Sequence, residues 1–216
     1  MNQIVSRTRS DNRRQLVLEA AADLFVLKGY RGTSMRDIAK STNMLPGSLY
    51  YHFPSKAALL IAVIEEGVKR IGDCVDAALQ KGVPDCANSD PWQRLQVACE
   101  AHLAMLIGGS SFAQVVVRLL PGDAPEVEAS LVSLRDNYEA RFRELVEDLP
   151  LAPDTDRGIF RLMLMGAMNH APVWFRRGGA TPSMLACQFV GNLRASQECL
   201  NGDDAASITD CSKENI

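Results

Sequence analysis

Apolar residues along the chain recur every three or four positions, and no stretch alternates apolar and polar residues between hairpin turns, so the pattern predicts an all-α protein. Behind a polar N-terminus, Ser10 or Asp11 can cap a helix whose Val17, Leu18, Ala21, Leu24 and Phe25 share one face and which ends at Gly29. Ser34 and Asp37 stand at capping-box spacing, with Asp in place of the more usual Glu, and open a short helix through about residue 40. After a break at 41–45, Pro46 has the fixed φ that suits a first helical position and starts a third short helix through about residue 52. Two short helices across so brief a break make a helix-turn-helix. Ser55 can then cap a long helix over 56–81, with Leu60, Val63, Ile64, Ile71, Cys74, Val75 and Ala78 on one stripe.

Residues 82–90, with Pro84, Asn88 and Ser89, read as a loop, and Asp90-Pro91 starts a helix through about residue 107. Further helices are predicted at about 110–120, 124–149, 154–177 and 182–200, about nine in all, separated by Pro121-Gly122, the prolines at 150 and 153, and Gly178-Gly179. Thr181 and Pro182 mark the start of the last one, and Asp154 and Asp156 serve the start of the one before. The expected organisation is a three-helix domain over 1–55, a larger helical domain over 56–201 whose connecting helix is 56–81, and a polar, disordered tail over 202–216.

Composition narrows the class. With 216 residues, 47% hydrophobic and 23% charged, the chain suits a globular fold and excludes disordered or fibrous ones. Its most apolar window, 159–175, is shorter than the ~20 residues of a spanning helix and contains Arg161 and Pro172, so it reads as a buried helix. Arg7, Arg9, Arg13 and Arg14 have no apolar stretch beside them, which gives no secretory signal and places the protein in the cytoplasm. The formal charge of −3 conceals an asymmetry: residues 1–56 hold nine Lys or Arg against four Asp or Glu, a balance of +5, and the rest hold 14 against 22, a balance of −8. A basic head on an acidic body suggests a polyanion partner.

The head also carries specific chemistry. On the third helix Leu49 and Phe53 lie four apart and can pack inward with Ile38, Ala39 and Phe25, leaving Tyr50, Tyr51 and His52 outside. A DNA duplex offers phosphates for the Tyr and His hydrogen bonds and thymine methyls for ring contacts. Pro46 and Gly47 leave the first turn uncluttered for approach to a major groove, while Lys56 and the amides after Ser55 form a phosphate seat. The run G-Y-R-G-T-S-M-R-D-I-A followed by G-S-L-Y-Y-H-F-P-S-K, within 17–60, resembles the DNA-binding domain of the TetR family of bacterial transcriptional regulators. The resemblance implies DNA contacts at Ser34, Arg36, Pro46, Gly47, Ser48, Tyr50, Tyr51, His52 and Lys56, with Tyr50, His52 and Lys56 chiefly at phosphates and Pro46, Gly47 and Tyr51 nearest the bases. Two departures matter: Asn43 replaces a common turn Gly, which Asn can mimic through left-handed φ, and Leu45 replaces a common capping Ser, so the third helix loses a cap.

For the body, the resemblance implies ligand binding and a four-helix dimer interface built from the last two helices, with Leu185, Phe189, Val190 and Leu193 as its stripe. Two-fold pairing sets recognition helices ~34–36 Å apart, matching a palindrome. The 154–177 helix is apolar around most of its circumference and must be covered on more than one side. Candidates to face an effector cavity are Met105, Phe112, Val116, Leu119, Met163, Met168 and Trp174, with His102, Tyr138, Asn169 and His170 as polar contacts, although Met and aromatic residues at this spacing also suit plain core. The segment N-H-A-P-V-W-F-R-R-G-G at 169–179 resembles a W-[FY]-R-P-G-G ending in family members that respond to acyl or acyl-CoA-like molecules, departing from it at Arg177.

The expected function is a dimeric repressor released from a palindromic double-stranded operator by a small apolar or acyl/acyl-CoA-like effector, with no cofactor, metal or membrane partner. Two other readings stand beside it. Cys74, Cys86, Cys99, Cys187, Cys199 and Cys211 could sense oxidation, although no C-x-x-C pairs them. A helical enzyme or small-molecule carrier is the third, but residues 83–200 lack G-x-S-x-G, H-E-x-x-H and any phosphate-cradling glycine loop, and neither His102 nor His170 has a second metal ligand at the needed spacing.

Overall fold

Capping chemistry sets most element boundaries in the computed structural model, which describes residues 9–82, 90–119, 122–176 and 178–201. Helix α1 (Arg9–Gly32) breaks its helical geometry at Gly29, where φ is +73°, a value that L side chains resist and glycine adopts freely. The chain thus leaves the helix where the sequence predicts, and Tyr30 to Gly32 form a hook beyond it. Ser10 and Asp11 fall within the first turn of α1 and do not precede it. Helix α2 (Met35–Ser41) has a complete capping box: Asp37 N–H donates to Ser34 Oγ at 3.1 Å, and Ser34 N–H donates to Asp37 Oδ2 at 3.0 Å. Aspartate therefore closes the box despite its shorter reach, and the two Ser34 hydrogen bonds hold its carboxyl below the ordinary range.

Asn43 takes the left-handed φ of +52° in the turn, as expected of a glycine substitute, and leads to α3 (Pro46–His52). Next come α4 (Lys56–Gly82), α5 (Pro91–Ile107), α6 (Ser111–Arg118), a short 3-10 turn (Pro125–Val127), α7 (Glu128–Glu147), α8 (Arg157–Trp174) and α9 (Pro182–Asn201). Ser55, Asp90, Asp156 and Thr181 each accept an amide hydrogen bond at a helix start, from Ala58, Trp92, Ile159 and Met184. Asp156, not Asp154, does the capping for α8. The described residues contain no strand, so the fold is all-α, and no single helix among them is long and apolar enough to cross a membrane. Pro121, Arg177, most of the 82–90 loop and the 202–216 tail lie outside the described residues.

The chain forms two compact units. The first unit runs through Gly72 and also takes in Gly109–Tyr138. Its core joins Val17, Leu18 and Phe25 of α1, Ile38 of α2 and Leu49 of α3 to Leu59, Leu60 and Val63 of α4, and continues into Phe112 and Val115 of α6 and Val127. The reason is area. Helix α1 and the two short helices α2 and α3 gain cover from α4 and α6, and each fully buried Leu, Val or Phe contributes ~1.5–3 kcal/mol relative to exposure.

The second unit comprises Asp73–Gly108 and the chain from Glu139 onward. Here α5, with Leu95, Ala98, Cys99 and Leu103 buried, packs against the inner faces of α8 (Phe160, Leu164, Met168) and α9 (Leu185, Ala186, Val190). The Trp92 and Phe160 rings meet edge to face at 6.2 Å. Arg161 of α8 pairs with Glu139 of α7, with only 12% and 11% of the two side chains exposed. Gln197 of α9 accepts from Ala152 N–H and Thr155 Oγ1, both at 2.9 Å, fixing the connection that leads into α8.

Candidate nucleic-acid interface

The turn before α3 and α3 itself form a rigid platform with one dry and one wet side. Leu49 and Phe53 are buried with Ile38 and Ala39, as their spacing predicts, and Thr42 Oγ1 ties the turn down by donating to Ile38 O at 2.9 Å. On the wet side Tyr51 is 85% exposed and Tyr50 is exposed, while His52 is half-buried and meets the Tyr51 ring edge-on at 5.5 Å. Pro46, Gly47 and Ser48 are exposed, and a Cβ built on Gly47 would meet nothing within 4 Å, so the first turn is open to a partner's approach. Arg36 is exposed on α2, and no carboxylate among the described residues pairs with it. Leu45 at the N-cap makes no capping bond, as its side chain dictates.

Two expected contact residues have other work. The Ser34 hydroxyl is engaged in the capping box and also donates to Asp37 Oδ2 at 2.7 Å. Lys56 turns inward. Its Nζ donates to Tyr30 O at 2.8 Å and Thr33 O at 3.0 Å and lies 4.2 Å from the Tyr30 ring centroid, so in the DNA-free protein the ammonium clips the hook at the end of α1.

The same hook is held from the other side. Tyr30 Oη donates to Glu126 at 2.5 Å, and Arg31 Nη2 donates to Gly122 O at 2.8 Å. Burial, reinforced by Glu126, pushes the Tyr30 phenol up, and the Tyr30 hydrogen bond holds Glu126 down. Sequence reasoning passed over Tyr30, Arg31 and Glu126, because their partners are about 90 residues away and carry no local signal. It also passed over Arg14, whose guanidinium lies 5.4 Å from the Phe53 ring centroid at the end of α3, although its place in the basic head was visible.

The residues expected around an effector divide between the units. Phe112 belongs to the first unit's core, with Val116 and Leu119 packed against it, and Tyr138 is buried in the same unit. A partly open cavity of about 160 Å³ in that unit is lined by Phe25, Tyr30, Leu60, Val115 and Leu119 among others, and of the expected effector residues it takes in Leu119 alone. In the second unit His102 Nε2–H donates to Asn169 Oδ1 at 3.1 Å, its ring meets Phe142 edge-on at 5.7 Å, and burial pushes it down to about 4. Met168 is buried and Met105 half-buried on the same helices as this pair, α8 and α5.

Met163, His170 and Trp174 do not fit the cavity expectation. They are exposed, Met163 by 54%, on a side of α8 turned away from the buried Leu164 and Met168. That outer side also carries Ile159, Leu162 and Val173. On α9 the expected interface stripe splits. Leu185 and Val190 are buried within their own unit, where α9 packs on α5, while Phe189 and Leu193 are half-buried and Met184 and Leu200 are exposed. The segment after α8 closes through Gly178, at φ +90°, and a bond from Gly179 N–H to Arg176 O of 3.2 Å, which explains the glycines in that ending.

The thiol reading finds no support. Cys99 is buried and burial pushes its thiol up, Cys74 is half-buried, and the exposed Cys187 and Cys199 stand on one helix about 18 Å apart along its axis. Cys86 and Cys211 lie outside the described residues.

Known proteins share this architecture. The family model described as bacterial regulatory proteins, tetR family, matches residues 17–63, and that of the tetracyclin repressor-like C-terminal domain matches residues 88–195. The HTH-type transcriptional repressor KstR2 of Mycobacterium tuberculosis is 29% identical over 193 residues, which cover 84% of this chain and 88% of that protein. Among solved structures, AibR in complex with isovaleryl coenzyme A and operator DNA matches with a TM-score of 0.68 at 23% identity, over 83% of this chain and 97% of that one. The fatty acid degradation regulator FadR from Bacillus halodurans matches with a TM-score of 0.70 at 19% identity, over 89% and 96%. Those two likenesses speak to the fold. With a reading head and a helical body each matched in register, the chain belongs to the tetR family of bacterial regulatory proteins and is a DNA-binding transcriptional regulator, not an enzyme.

Proposed function

We propose that the protein is a homodimeric, cytoplasmic repressor that holds a palindromic operator through α3 and releases it when a mostly apolar, acyl- or acyl-CoA-like molecule binds the helical body. The observation that carries this reading is the wet side of α3, where Tyr50, Tyr51 and an open first turn have no use in the free protein. Arg36, Pro46, Gly47, Ser48, Tyr50, Tyr51 and His52 are its DNA contacts, and Lys56 and Ser34 hold the platform they stand on.

Dimerisation is supported by the outer face of α8. Ile159, Leu162, Met163, Val173 and Trp174, with Gly166 and Ala167 between them, form an exposed apolar stripe along four turns. A monomer rarely leaves such a stripe in water. Met184, Phe189, Leu193 and Leu200 of α9 add apolar surface to the same interface. The effector class is supported by the isovaleryl coenzyme A of AibR, by the fatty acid role named for FadR, and by the 174–179 ending. A ligand releases DNA only if it binds the DNA-free state better, since equal affinity for both states shifts nothing.

A gel shift against the protein's own upstream region, with isovaleryl-CoA and palmitoyl-CoA as probes, tests the reading. Specific retention of the duplex that at least one acyl-CoA reverses is expected. Retention that neither probe changes would remove the acyl class and leave the DNA reading standing.

A further inference from the structure

Leu45 stands where α3 should have its cap. Ser, Thr, Asp and Asn are strongly preferred at that position because their oxygen satisfies an amide that the first turn leaves without a partner. Helices α2, α4, α5, α8 and α9 each have such a cap, through Ser34, Ser55, Asp90, Asp156 and Thr181. Leu45 has no side-chain oxygen, so only its backbone carbonyl serves the first turn, accepting from Ser48 and Leu49 N–H; the residue is 77% exposed, whereas the preceding Met44 packs on the core. The residue therefore weakens the free protein in two ways, by a missing cap and by apolar surface left in water. The corner around it is empty too, since nothing approaches a Cβ built on Gly47.

In a DNA major groove the apolar group available to such a side chain is the C5-methyl of thymine. We propose that Leu45 is a base-contacting residue that selects thymine through van der Waals contact with that methyl. The inference rests on α3 entering the major groove, and it concerns the Leu45 side chain, not the amides of the helix start. Burying one methyl between leucine and the base corresponds to about a fourfold change in affinity. Replacing Leu45 with Ser should have opposite effects on the two states: a cap is gained in the free protein, and the methyl contact is lost in the complex.

The experiment uses the operator located by footprinting in the protein's own upstream region. Each thymine is replaced singly by deoxyuridine, which removes the methyl and keeps every hydrogen-bonding group. Affinity is measured for the full-length protein and for Leu45→Ser and Leu45→Met. The original chain should lose about fourfold at one thymine in each half-site. Leu45→Met should keep that sensitivity, and Leu45→Ser should lose it while melting a few degrees higher. Tolerance of deoxyuridine at every thymine, or the same sensitive thymine in Leu45→Ser, overturns the contact while leaving operator binding intact. Absence of any duplex binding by the original chain would instead overturn the reading of α3 itself.

Discussion

Tyr51 and Lys56 are five positions apart and differ in setting, one exposed to solvent and the other closing the hook beside it. Removing a phosphate-contacting cation lowers the dependence of log K on log salt by ~0.9 per contact. Arg36→Gln should therefore flatten the salt dependence of DNA binding. Lys56→Met should leave the slope unchanged and lower stability by ~1.5–3 kcal/mol, the range of hydrogen bonds from a charged donor. Salt titrations of affinity and urea unfolding of both variants check the pair. The exposure of Tyr50 and Tyr51 was legible because Leu49 and Phe53 fix which way α3 faces. The role of Lys56 was not, since its acceptors are the backbone carbonyls of Tyr30 and Thr33, 26 and 23 residues earlier. His102 supplies a pH signature. Burial pushes it down to about 4 in the folded state, against ~6.5 in the unfolded chain. Between these values the unfolded chain binds a proton that the folded one does not, so stability is full above pH ~6.5 and falls as the pH drops toward ~4, by up to about 3 kcal/mol. His102→Gln should abolish that part of the pH dependence in unfolding measured from pH ~7 down to ~4.

At the scale of elements, the caps made the starts of α2, α4, α5 and α9 readable to within a residue or two, because each depends on a local side chain, while α8 begins three residues later than expected because Asp156, not Asp154, caps it. The inward faces of α8 and α9 were harder. Helix α8 is apolar nearly all round, so periodicity cannot rank its sides, and Met163 and Trp174 fit an interior on composition alone. On α9, Leu185 and Val190 fit a partner-facing stripe until α5 is seen to cover them. Helix α6 carried no sign that Phe112 and Val115 complete the core of the N-terminal helices. The link between α7 and α8 gives a separate prediction. Arg161 and Glu139 are nearly buried together, so Arg161→Met alone should cost ~3–5 kcal/mol by leaving a carboxylate unpaired, and adding Glu139→Gln should recover much of it. Chemical denaturation of the single and double variants distinguishes this from a surface pair, for which both changes would be nearly neutral.

For the whole molecule, the proposed dimer would make affinity for an operator depend on two heads acting together. The stripe on α8 makes this testable: Leu162→Glu combined with Val173→Glu should convert a dimer to a monomer in light scattering and weaken operator binding by ~10²-fold or more, since a single head loses the effective concentration of its mate. The charge pattern acts at the same scale. A basic first quarter on a chain of net charge −3 brings the reading head to DNA and keeps the acidic remainder away from it. The central claim is that the exposed side of α3 reads duplex DNA. It is tested most directly by fluorescence anisotropy of the full-length protein with its own upstream duplex and with a scrambled duplex of equal composition, repeated with Tyr51→Ala. Tighter binding to the upstream duplex, lost in Tyr51→Ala without a change in melting temperature, is the predicted result. Equal affinity for both duplexes, unchanged by Tyr51→Ala, would contradict it.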